Sequence, residues 1–165
     1  MRVVILSFLL ASAVACGARS EGADAAFRSG LSAFNEGIYD RAQAAWAPLA
    51  AAGDARAQTG LGFMYYSGRG VARDSARAAQ FFDRAADQGE PRAQLFLALM
   101  YFKADGVPQS YPLAVMWIEL AIAGGQGEAF ESRGTLMQSI SGADREEGWR
   151  LVTRWREKHP NTAGR

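Results

Sequence analysis

Two stretches of this chain superpose on each other without a gap, and that periodicity limits the fold more than any other feature. Residues 57–92 read AQTGLGFMYYSGRGVARDSARAAQFFDRAADQGEPR, and residues 93–128 read AQLFLALMYFKADGVPQSYPLAVMWIELAIAGGQGE. At a spacing of 36 residues Ala57 meets Ala93, Leu61 meets Leu97, and Met64 and Tyr65 meet Met100 and Tyr101. Gly70 and Val71 meet Gly106 and Val107, Ala78 meets Ala114, Ala85 meets Ala121, and Gly89 meets Gly125. Self-similarity at a fixed period marks an architecture in which each unit covers its apolar face only by stacking on a neighbour.

Within a unit the pattern predicts helix, loop, helix. Ala57, Leu61, Met64 and Tyr65 fall on one face of a first helix, A, predicted from Ala57 to about Tyr66. Ser67-Gly68-Arg69-Gly70 ends it, since glycine accepts the left-handed conformation beyond a helix C-terminus. Asp74 is placed to cap the second helix, B, and Ser110 takes that position in the next unit, with Pro112 in the first turn. Helix B is expected to bury Ala78, Phe81, Phe82 and Ala85. The alanines let backbones approach while aromatics fill the wider gaps, so successive pairs pile into an all-α array.

The flanks follow the same plan more loosely. Residues 24–56 form a degenerate unit in which Gly53 aligns with Gly89, while Gly30 and Leu31 align with Gly60 and Leu61 across a loop six residues shorter. Ala129 to Ile140 reads as a further helix A within a C-terminal segment, 129–158. Ser141 to Asp144 then opens a last helix with capping-box spacing. Its apolar side carries Leu151, Val152 and Trp155, and Arg150, Arg154, Glu157 and Lys158 give it the polar face a terminal cap needs. Residues 159–165 are expected to be a tail.

The run Ala57, Leu61, Gly62, Tyr65, Gly68, Gly70, Val71, Asp74, Ala78, Ala85, Ala86 and Gly89 resembles the Sel1-like repeat pattern. The second unit keeps Ala93, Leu97, Tyr101, Gly106, Val107, Ala114 and Ala121 and departs at Ala98, Ala104, Ser110 and Ile122. The resemblance implies a right-handed α-solenoid of antiparallel helix pairs acting as an adaptor for other proteins. It implies no shared catalytic residues and no cofactor.

The first residues read as an address. Arg2, an apolar run from Val3 to Ala11, and Ala13-Val14-Ala15 describe a secretory leader over residues 1–15. Cleavage there leaves Cys16 at the mature N-terminus, followed by a small, polar tether to residue 23. A Cys at that point resembles the bacterial lipoprotein signal, and each buried methylene of an attached lipid contributes about 0.8 kcal/mol to membrane binding. An ordinary cleaved leader with an incidental Cys is the alternative. Either way the chain is expected to be exported and periplasmic, and a membrane is involved only through a lipid on Cys16.

Charge and residue types exclude several classes of function. With 18 basic and 17 acidic residues, nothing draws the chain as a whole to nucleic acid. One Cys and one His leave no intramolecular disulfide and no His/Cys metal site. His159 lies far from any nucleophile in the sequence, which disfavours Ser/His or Cys/His catalysis. Asp83, Asp87, Glu119, Glu128 and Glu131 are available to a carboxylate hydrolase but sit at exposed helical spacings. Gly68-Arg69-Gly70 lacks the preceding strand and following Lys of a phosphate loop.

The search for a function therefore turns to a binding surface for an unidentified protein or peptide. Phe63 and Tyr66, with their counterparts Leu99 and Phe102, lie off the main face of helix A, the helix that lines the concave side of such arrays, where they either form a groove or belong to a core buried on both sides of the helix. Trp149 on the last helix is a second candidate contact if its ring is exposed, the alternative being that it packs under the terminal cap. A glycan binder, stacking sugars on Trp46 and Trp117, is the alternative from another class.

Overall fold

The structure is a computed structural model that describes residues 21–160 and 162. The predicted leader, Cys16 and most of the predicted tether lie outside these residues. Among the described residues there are eight helices and no strand: α1 (21–35), α2 (Tyr39–Ala51), α3 (Ala55–Ser67), α4 (Ser75–Asp87), α5 (Pro91–Lys103), α6 (Tyr111–Ala123), α7 (Gly127–Gln138) and α8 (Gly142–Lys158). Each packs against its sequence neighbour from α2 to α7, while α8 lies across α6. The chain is an α-solenoid of antiparallel helix pairs.

Helix A begins two residues before the position the apolar pattern suggests. Asp54 caps α3, accepting from the backbone N–H groups of Arg56 at 2.9 Å and Ala57 at 3.2 Å. In the next unit Pro91 takes the first turn of α5, and α7 likewise starts at Gly127. Periodicity reports only the residues a helix buries, so an exposed first turn leaves no trace in it. The predicted caps of helix B are as expected, with Asp74 accepting from Arg77 N–H and Ser110 from Leu113 N–H.

The core is built by the repeating residues. Leu61 and Leu97 are 5 % and 1 % exposed, between adjoining helices. Ala57, Ala78, Ala93 and Ala114 are fully buried, as are Phe82 and Ile118. Phe81 is half-buried instead, its ring stacked on Tyr65 at 5.7 Å. Buried Gln58 and Gln94, again 36 apart, donate from their side chains to Ala50 O and Ala86 O at 3.1 Å each. Each thereby ties a helix A to the last turn of the preceding helix B and satisfies carbonyls a helix end leaves open.

The loops also stack in register. Gly70 (φ 75°) lies against Tyr39, the first residue of α2, and Gly106 (φ 78°) lies against Ser75, the first residue of α4. A side chain at Gly106 would run into the Ser75 backbone. The glycine is therefore needed twice, for its backbone conformation and for that approach.

Two expectations change at the C-terminal end. His159 does not hang free, because its ring stacks on Trp155 at 4.3 Å and its Nδ1 lies 2.8 Å from Trp155 O. Helix α8 does more than present a polar outer face. Gly148 sits against Val115 and the Pro112 carbonyl, so the α8 backbone approaches α6 closely.

Candidate functional site: a groove across the A helices

The structure opens a groove of about 500 Å³ between α1, α3 and α5, the successive A helices. Its floor is aromatic. Phe34 meets Phe63 edge-on at 5.8 Å, Phe63 meets Phe96 at 5.5 Å, and Leu31 on the wall is 39 % exposed. Trp46 from α2 closes the bottom, since Gly30 and Gly60 leave room for its ring from two sides. A Cβ at Gly60 would stand 2.7 Å from that ring. The glycine pair and the tryptophan are thus one packing unit, and Gly60 also lines the groove.

The ends of the groove differ in charge. Asp24, Asp54 and Glu90 lie near the N-terminal ends of α1, α3 and α5, together with Arg56 and Arg92. Arg56 bonds both Asp24 and Asp54 at 2.7 Å and lies over the Phe27 ring at 4.7 Å. Partial burial pushes the Asp54 carboxyl up, but bonds from the Arg56 side chain and the Ala57 amide outweigh it, so its pKa falls below the usual value. Burial raises the Glu90 pKa, against the pull of the nearby Arg56 and Arg92 charges. At the far end Arg69 lies over Phe34 and Phe63, 5.7 and 5.6 Å from the ring centroids.

The residues singled out from the sequence do not form one site. Phe63 lines the groove. Tyr66 is half-buried between Phe82 at 6.4 Å and Phe96 at 5.6 Å, with Arg73 over its ring at 5.8 Å. Leu99 packs half-buried on the main core, and Phe102 meets Tyr111 at 5.8 Å. Trp149 is 48 % exposed on the opposite end, its indole N–H 3.5 Å from Glu119. Cys16 is outside the described residues. Phe27, Phe34, Phe96 and Arg69 were not anticipated. The first two precede the in-phase repeats, and Phe96 stands where the preceding unit has Gly60, so no periodicity exposes them.

Trp46 and Trp117 are 2 % and 4 % exposed, held in the core against the glycines and against Trp155, and offer no face to a sugar ring. Glu119 is bound to Arg133 at 2.6 Å. Among the described residues no group of three or more Asp, Glu, His or Cys is placed to hold a metal ion, and no helix is long and apolar enough to cross a membrane.

Stacked antiparallel helix pairs with a groove along the A helices define a helical-repeat scaffold. The Sel1 repeat family model matches residues 55–90 and 91–126, the two in-phase units. Those units follow the helix boundaries seen here. The chain is similar in structure to a protective antigen of uropathogenic Escherichia coli displaying an SLR fold, with a TM-score of 0.78 and 27 % identity over 88 % of this chain. It is also similar to a Sel1 repeat protein from Oxalobacter formigenes, with a TM-score of 0.64 and 29 % identity over 82 % of this chain. The chain spans 32 % and 55 % of the lengths of those two proteins. No curated protein matches its sequence. Sel1 repeats are a scaffold type of fold that mediates protein–protein interaction.

Proposed function

We propose that this chain is an exported scaffold that holds a segment of a partner protein in the groove across α1, α3 and α5. The observation that carries the reading is the aromatic floor assembled from three successive A helices, Phe34, Phe63 and Phe96, with exposed Leu31 beside it. An apolar trough with polar ends is the form a solenoid offers to an extended or helical segment. Tyr66, Leu99 and Phe102 act mainly as packing, and Trp149 marks a separate surface.

Export rests on the leader pattern of residues 1–15, and attachment to a membrane on lipid at Cys16. Intact mass of the mature protein tests both. A chain starting at Cys16 and carrying a diacylglyceryl mass is expected, and an unmodified chain retaining Met1 would remove the envelope from the account.

The groove is tested by affinity capture with the wild-type chain, Phe63→Arg and Trp149→Ala. A partner retained by wild type and Trp149→Ala but lost on Phe63→Arg supports the reading. Retention by Phe63→Arg with loss on Trp149→Ala would move the binding surface to α8.

A further inference from the structure

We infer that the groove recognises a segment carrying a carboxylate, seated on Arg69, beside an apolar side chain laid over Phe34, Phe63 and Phe96. The inference rests on the groove being the partner's seat. It comes from how stacking disposes of the charges along the array.

Between the two in-phase units the loops are joined by an ion pair. Arg73, which immediately precedes the cap of α4, reaches Asp105 in the next loop at 2.9 Å. One unit earlier, 36 residues back, Arg73 corresponds to Gly37 and Asp105 to Arg69. Gly37 has no side chain, so the link cannot form. Arg69 is exposed and has no ion pair or side-chain hydrogen bond among the described residues. Its guanidinium instead lies over the Phe34 and Phe63 rings. A guanidinium held over aromatic faces keeps its N–H edge free for the paired hydrogen bonds that match a carboxylate.

The other end of the groove sets the direction. There three carboxylates, Asp24, Asp54 and Glu90, stand against two guanidiniums, Arg56 and Arg92, leaving one negative charge in excess. Arg56 is already held by two aspartates and has little to offer a ligand. An anionic group is therefore drawn to the Arg69 end and repelled from the other. Since α3 is 13 residues long, the ends lie about 20 Å apart, the reach of about six extended residues. A polyanion such as nucleic acid would have to lay further phosphates along the acidic end, which disfavours it.

The carboxylate can belong to an Asp or Glu side chain or to a chain terminus. The test is selection from a fully randomised synthetic peptide library, made once with free C-termini and once amidated. It is run on the full chain as wild type, Phe63→Ala, Leu31→Ser and Arg69→Glu, with circular dichroism confirming the helical fold of each. Leu31→Ser keeps the groove testable if Phe63→Ala fails to fold.

The expected result is enrichment, on wild type, of peptides with a carboxylate next to a Leu, Ile, Met or aromatic residue, weakened by both groove variants. Arg69→Glu should lower their affinity about tenfold or more and shift selection to Lys and Arg. Enrichment confined to the free-acid library assigns the terminal carboxylate, and enrichment in both assigns the side chain. Groove-dependent peptides without an acid, or a selection unchanged by Arg69→Glu, would overturn the inference while leaving the groove as the partner's seat. No peptide sensitive to Leu31→Ser or Phe63→Ala would overturn both.

Discussion

The two in-phase repeats have the same backbone plan but different neighbours, and the difference shows how the array ends. In the unit at 55–90, helix α4 keeps Gln80 and Arg84 exposed. In the unit at 91–126, the same positions of α6 are Met116 and Leu120, only 6 % and 5 % exposed. Pro112, Val115, Met116 and Glu119 make one stripe of α6, and α8 lies on it: Gly148 touches Val115 and the Pro112 carbonyl, and Trp149 reaches Glu119. The interior is matched differently too. Gly62 leaves space for Phe82, where a Cβ would come within 2.8 Å of the ring, whereas the second unit places Ala98 and Ile118 at the equivalent positions. A larger residue on one helix is offset by a smaller one on its partner, so the spacing of the array is kept.

Exchanging residues between the two helices should have opposite costs. Leu120→Arg forces a charge beneath α8 and is expected to cost about 3–5 kcal/mol, or to release α8. The reciprocal Arg84→Leu should stay within about 0.5 kcal/mol. Urea unfolding of both variants checks this, and equal costs would break the comparison. Next in size, Gly62→Ala is expected to lose about 1–3 kcal/mol by overpacking against Phe82. Adding Phe82→Ile, which copies the second unit, should recover part of that loss, so the double variant costs less than the sum of its parts. Strict additivity would show that the two positions are not coupled.

The helix starts give a smaller effect. Asp54→Ala removes the cap of α3 and is expected to cost about 1–2 kcal/mol at neutral pH, whereas Glu90→Ala in the next unit, where no side-chain cap bond forms, should cost less. Because the folded state lowers the Asp54 pKa, its contribution is present above the unfolded carboxylate value and is lost as pH falls through the lowered one. Asp54→Asn should therefore flatten acid unfolding in that range, as followed by circular dichroism. The smallest change is a gain. Ala104 holds the left-handed conformation (φ 56°) that Gly68 holds in the first unit (φ 71°). Ala104→Gly should stabilise by about 1 kcal/mol and raise the melting temperature, while Gly68→Ala should do the reverse.

The sequence made the stacked helix pairs legible because stacking is what the repeat encodes: Leu61 and Leu97, the paired alanines, and the cap residues Asp74 and Ser110 all do what their spacing implies. The polar members Gln58 and Gln94 also recur at the period, but a buried glutamine resembles a surface one until its carbonyl partner is known. The groove was legible only at Phe63. Its other walls come from α1, outside the in-phase units, and from Phe96, whose counterpart is the glycine that admits Trp46. Arg69 stands out only when the ion pair of the following loop is known. A periodic pattern reports what every unit needs, whereas a binding site here is made of departures from it.

Hydrogen exchange on the complex with the captured partner, compared with the free chain, tests the groove as the working face most directly. The account predicts added protection in α3 and α5 around Phe63 and Phe96 and in the Arg69 loop, with α8 around Trp149 unchanged. Protection confined to α8, with those segments exchanging as in the free protein, would contradict it.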